Sequence, residues 1–190
     1  MNEHDQLCLA CMQYQVRPGQ CRACVLPYSA GWMVGLRRGA LNALVSESKF
    51  ESVRAGCDVQ AELLDAALPH LPPQTVVVPV PTIARHIRQR GYAHAERVAR
   101  QLARRRGVSY RAVVGRRVQH VQQGADRKTR QRQAAESYEV ILPLDEATTY
   151  LLVDDVYTTG STVNCIASAL RAAGAGDVWV AVASRQPLDD

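Results

Sequence analysis

Apolar residues along this chain fall into two patterns. One is the uninterrupted β-branched run: TVVVPVP, Thr75 to Pro81, has no polar alternation, and YLLV, Tyr150 to Val153, resembles it nearer the end. Runs of this sort predict strands buried on both faces, as in a parallel sheet. The other pattern is helical spacing. Ala95, Val98, Ala99 and Leu102 stand three and four apart, with Gly107 placed to cap their helix. A second helix is predicted from Ser161 through the STVNCIASALRAAGA stretch, with the GAG of residues 174–176 at its end, and a third from about Val53 to Leu68, stopped by Pro69. Shorter apolar stretches predict strands at Val108 to Val114, near Tyr138 to Leu142, and at Asp177 to Ser184.

Strands alternating with helices predict an α/β fold: a mostly parallel sheet flanked by helices, over residues 73–190. Residues 31–72 read as a linking segment and the helix that follows it. Residues 1–30 read as a separate small module, because four of the six cysteines fall there. In CLACMQYQVRPGQCRAC, Cys8 and Cys11 form one CxxC knuckle, and Cys21 and Cys24 a second. Two knuckles close a tetrahedral site while intervening amides point at the sulfurs, which is the arrangement of structural zinc. The set has no open position for catalysis. A segment this short has almost no core, so the metal supplies its folding energy. Cys57 and Cys165 lie in helical stretches without partner motifs and read as small buried hydrophobes.

Charge changes the picture more than composition does. The chain of 190 residues carries a formal net charge of +5, but residues 85–132 hold fifteen Arg or Lys against Glu96 and Asp126. A basic middle between acidic flanks points to a polyanion, either the phosphates of a small ligand or a nucleic-acid backbone. The alternative is a set of solvated helix faces. The start of the chain is polar and no apolar run is long enough for a membrane span, so a cytoplasmic protein without membrane insertion is expected.

YLLVDDVYTTGST, Tyr150 to Thr162, is the stretch that core packing does not explain. A buried strand ends at the adjacent carboxylates Asp154 and Asp155, and a loop of Val156, Tyr157, Thr158, Thr159, Gly160, Ser161 and Thr162 leads into a helix. In an open parallel sheet, ligands bind beyond the carboxyl ends of strands. Loop amides, the helix N-terminus and the hydroxyls can surround one phosphate, and Gly160 permits the close turn. With no lysine and no GxxxxGK[ST], the loop suits a terminal monophosphate. The acids then lie beside the attached sugar, where they can accept from vicinal hydroxyls or hold a hydrated Mg²⁺. A 5-phosphorylated ribose answers these requirements.

This stretch is similar to the phosphoribosyl pyrophosphate (PRPP) motif of type I phosphoribosyltransferases. The chain as a whole resembles the ComF (ComFC/GntX-like) family: CLAC…CRAC, then Ser48-Lys49-Phe50, then Val78-Pro79-Val80-Pro81, then Arg90-Gly91-Tyr92, then Gln122…Arg127…Arg130, and then the PRPP motif. Ala93 and Gln133 stand where that family has Asn, and Tyr138 where it has Phe. The resemblance implies a type I phosphoribosyltransferase-like domain behind a zinc ribbon. It implies structural zinc and PRPP-bound Mg²⁺ as cofactors, and a loop of Val80, Pro81, Thr82 and Arg85 facing the pyrophosphate, commonly with unusual peptide geometry. It implies that Arg88, Arg90, Arg116, Arg117, Arg127, Lys128, Arg130 and Arg132 form a hood or a nucleic-acid surface. A role in natural competence follows, with single-stranded DNA and the competence machinery as partners. The alternative is Mg²⁺-dependent phosphoribosyl transfer to an unidentified acceptor, a displacement of pyrophosphate needing positioning and electrostatics rather than a nucleophile. No base-reading set is legible; Tyr14, Tyr28 and Trp32 offer stacking surfaces but are expected to serve the module's own core.

Overall fold

The computed structural model describes residues 7–15, 21–47, 54–117 and 137–187. Five parallel strands form the sheet, in the order β1 (Ala30–Leu36), β7 (Asp177–Arg185), β6 (Thr149–Tyr157), β2 (Thr75–Pro79) and β3 (Ser109–Tyr110). Two further strands, β4 (Val114–Arg116) and β5 (Tyr138–Val140), make an antiparallel pair. The helices are α1 (Gly39–Glu47), α2 (Arg54–Ala67), α3 (Ala84–Arg90), α4 (His94–Arg106) and α5 (Ser161–Ala172).

The uninterrupted runs are strands because both faces are covered. Val76 and Val78 of β2, with Tyr150 and Leu152 of β6, face one core together with Val163, Ile166, Ala167 and Leu170 of α5. Val77, Leu151 and Val153 face the opposite core, with Leu64 of α2 and Val98, Ala99 and Leu102 of α4. Each of the larger side chains so buried contributes on the order of 1.5–3 kcal/mol. Gly107 closes α4 in the left-handed conformation, φ 65°, as its position in the sequence predicted.

Helices α1 and α3 were not predicted, and three further elements differ from expectation. The linking segment contains a strand, β1, which joins the sheet edge beside β7. Its glycines disguise it, and Gly31 is required by packing, since a Cβ there would lie 2.7 Å from Leu9 Cδ1. The strand predicted over Val108 to Val114 divides. Only Ser109 and Tyr110 pair with β2, whereas Val113 and Val114 turn away to pack with Tyr138 and Val140. An apolar run shows that residues are buried, not against what. Third, the strand carrying the acids does not end at them. β6 continues to Tyr157, paired with β7 to its last residue, while its pairing with β2 stops at Val153. Asp154 and Asp155 therefore lie where one neighbouring strand has left and the other remains.

That gap is where the sheet changes direction. From β2 the chain passes through α3 and α4 to β3 on the outer side; from β6 it passes through α5 to β7 on the other side. The two crossovers cover opposite faces, leaving a crevice between the carboxyl ends of β2 and β6, where ligands of open α/β sheets bind.

Candidate functional site

A cavity of about 390 Å³ fills this crevice. From the end of β2 it receives Val80, Pro81, Thr82 and Ile83; from α3, His86; and from the start of α4, His94 and Ala95. The β4–β5 pair and the residue before β5 contribute Arg116, Tyr138 and Ser137, β6 contributes Asp154 and Asp155, and α5 contributes Ser161 and Thr162. Residues read separately in the sequence as phosphate loop, pyrophosphate loop and hood thus share one wall.

Local bonding holds the wall in place. Val80 N donates to Val153 O at 2.9 Å, which keeps the β2 loop against β6 after regular pairing ends. Asp155 N donates to Asp154 Oδ1 at 2.8 Å, and Ser184 Oγ to Asp155 O at 3.2 Å. Gly160 takes φ 76° as the N-cap of α5, and its cap has no side-chain hydrogen bond. Thr159 Oγ1 lies 2.8 Å from Ser161 Oγ and accepts from Ser161 N at 3.3 Å. The N-cap of α4, Ala93, also lacks a side-chain bond. The positive ends of two helices therefore border the same cavity, a favourable setting for anionic groups without any lysine.

The other expected residues divide. Tyr157 and Gly160 are buried, Thr158 and Thr159 exposed, and Val156 half-buried. Arg85 and Arg88 are exposed and do not line the cavity. Arg117 is held by Glu139 at 2.9 Å, and Arg116 stacks 5.5 Å from the Tyr138 ring centroid. The side chain of Arg90, and Lys49, Phe50, Gln122, Arg127, Lys128, Arg130, Arg132 and Gln133, lie outside the described residues. Every described peptide bond is trans, so the unusual loop geometry that the resemblance implied is not one of cis bonds. Tyr28 and Trp32 are core residues, while Tyr14 is exposed.

Histidine was missed. His94 is 2% exposed, and its ring nitrogens meet Cys57 Sγ at 3.5 Å and Gln60 Oε1 at 3.1 Å. It ties the opening turn of α4, at the cavity wall, to the middle of α2. Nothing in the sequence marked this, because the three residues come from two helices far apart in the chain. Cys57 is buried as expected, and burial pushes its thiol up.

The arginines of α4 also look different in three dimensions. Arg97 approaches Asp58 at 3.8 Å, Arg100 pairs with Glu96 at 2.8 Å, and Arg105 lies 3.6 Å from both Glu62 and Asp65. Arg106 pairs with Asp65 and donates to Leu68 O and Pro69 O, each at 2.9 Å, closing the carboxyl end of α2. Three of the five α4 arginines, Arg97, Arg105 and Arg106, thus meet acids of α2, and Arg100 meets one of its own helix.

Among the described residues the four cysteines form a group whose sulfurs lie within 4.8 Å of one another. Tetrahedral zinc with bonds of about 2.3 Å places its sulfurs roughly 3.8 Å apart, and Cys11 Sγ and Cys21 Sγ stand at 3.7 Å. Ala10 N donates to Cys8 Sγ at 3.3 Å, the amide contact a metal-bound thiolate uses. Burial, with hydrogen bonds from Cys11 and Cys21, pushes the Cys24 thiol up to about 12, so the metal-free cluster resists full ionisation. A divalent cation removes that resistance, and the four residues fit zinc.

No described helix is long and apolar enough to cross a membrane. No family model matches the chain. It is 34% identical over 110 residues to "Competence protein F" of Haemophilus influenzae, covering 55% of this chain and 47% of that protein. The match spans about half the length of the curated relative, 47%, and over that share the chain is similar to a competence protein.

Proposed function

We propose that the cavity binds PRPP with Mg²⁺ and that the protein is a ComF-family competence protein that also binds single-stranded DNA. The supporting observation is that Asp154 and Asp155 share one cavity with the positive ends of α4 and α5. A ligand with a phosphate at one end, a diol between and a diphosphate beyond matches that order. Ser161, Thr162 and the α5 end meet the 5-phosphate, and the acids meet the ribose hydroxyls. The Val80–Pro81–Thr82 segment, with Arg116 beside it, meets the diphosphate. Mg²⁺, when bound, neutralises diphosphate charge while keeping part of its water shell. The similarity to a competence protein over part of the chain supports the biological reading.

Calorimetry with PRPP and Mg²⁺ tests the proposal. Binding is expected for the unaltered chain and should be abolished in the Asp154→Asn/Asp155→Asn protein. No heat with the unaltered, zinc-loaded chain rejects it. DNA binding is expected to survive the same double change.

A further inference from the structure

The four cysteines and the cavity are joined by a chain of buried contacts, with Arg185 as the middle link. Arg185 ends β7 and is 3% exposed. Burying a guanidinium is costly unless its donors find acceptors. Here they find main-chain carbonyls: Nε donates to Leu9 O at 2.7 Å, Nη2 to Ala10 O at 3.4 Å and Nη1 to Gln186 O. Leu9 and Ala10 are the two residues between Cys8 and Cys11. The guanidinium therefore holds the first knuckle by its backbone, while the Leu9 side chain is buried against Gly31.

On the cavity side, Arg185 lies opposite Tyr157 in the β6–β7 register, its guanidinium 5.3 Å from the ring centroid. The Tyr157 hydroxyl stands 3.4 Å from that of Tyr28. It also presses on Gly160, where a Cβ would come within 2.1 Å of Oη. Gly160 opens α5, immediately before Ser161 and Thr162 of the cavity wall.

We infer that Arg185 is a positioning residue through which metal occupancy at the four cysteines sets the order of residues 158–162. With metal bound, the knuckle presents two fixed carbonyls. Without it the knuckle loses its cross-link, and the carbonyls no longer define one position. A buried guanidinium deprived of acceptors moves toward water, leaving the Tyr157 ring and releasing its hold on Gly160. Lysine could not replace it, because a single ammonium does not span two carbonyls while lying against an aromatic ring. The consequence for ligand binding rests on the PRPP reading; the consequence for the loop rests on the contacts alone.

Amide hydrogen exchange on the full chain, with zinc and after chelation, separates the two. Chelation should speed exchange at residues 158–162 about tenfold or more while residues 76–78 of β2 stay protected. PRPP–Mg²⁺ binding should weaken by a similar factor. Zinc-loaded Arg185→Lys should already show the fast loop, with little further change on chelation. If that variant does not fold, Tyr157→Leu should loosen the same loop with its zinc retained. Loop exchange unchanged by chelation overturns the inference. So does loss of protection at residues 76–78 as well, because zinc would then support the whole fold. Failure of the zinc-loaded chain to bind PRPP rejects the proposed ligand instead, and the exchange comparison still decides the role of Arg185.

Discussion

At Gly160 a conformational and a steric requirement coincide. Its φ of 76° lies in the left-handed region, and the space beside its Cα is filled by the Tyr157 hydroxyl. A left-handed non-glycine residue costs on the order of 1–3 kcal/mol, and here the buried Tyr157 ring must also shift. Gly160→Ala is therefore expected to lower the denaturant midpoint by more than the conformational cost alone, and to weaken PRPP–Mg²⁺ binding in calorimetry. A variant with unchanged midpoint and affinity contradicts this. The sequence signalled the glycine and the hydroxyls around it, since both are local chemistry. It gave no sign of Tyr157 pressing on Gly160, because that contact depends on the ring being held from outside by Tyr28 and Arg185.

Among the elements, the α2–α4 pair carries a choice between two kinds of polar contact. Asp65 pairs with Arg105 and Arg106 near the surface, whereas Gln60 meets His94 in the core. Exposed ion pairs contribute about 0–1 kcal/mol and are screened by salt. Removing the acceptor of a buried donor costs about 1–3 kcal/mol. Gln60→Leu should therefore destabilise the protein more than Asp65→Ala. The Asp65→Ala deficit should shrink between low and high salt in urea titrations, and the Gln60→Leu deficit should not. A larger effect of Asp65→Ala at high salt runs against this ordering. At the same scale, the β4–β5 pair brings Arg116 into the cavity, so Arg116→Ala should weaken PRPP–Mg²⁺ binding by about tenfold, the worth of one charge-assisted contact. The pair itself was half legible. Its β5 strand was expected, but its partner was hidden inside a run that reads as one strand and divides between two sheets.

For the molecule as a whole, the basic stretch is an electrostatic surface only where it is not already paired. Log affinity for single-stranded nucleic acid falls with log salt by about 0.7 per phosphate contacted. If α4 lies along the DNA, Asp58→Ala frees Arg97 and should steepen the slope by about that amount; an unchanged slope places the DNA elsewhere. The sequence by itself determined the class of fold, the cysteine cluster and the acid-and-hydroxyl motif. Each is written in local pattern: β-branched runs, helical spacing, two knuckles and a strand-to-helix loop. Only the tertiary structure decided that β1 belongs to the sheet, that β6 outlasts its pairing with β2 and leaves two acids in the gap, and that His94 joins the wall. It alone revealed that α2 supplies partners for three of the α4 arginines and that Arg185 connects the cysteines to the loop. Those facts depend on which distant surfaces meet. Burial and charge pairing are satisfied across the fold, where periodicity along the chain carries no information about the partner.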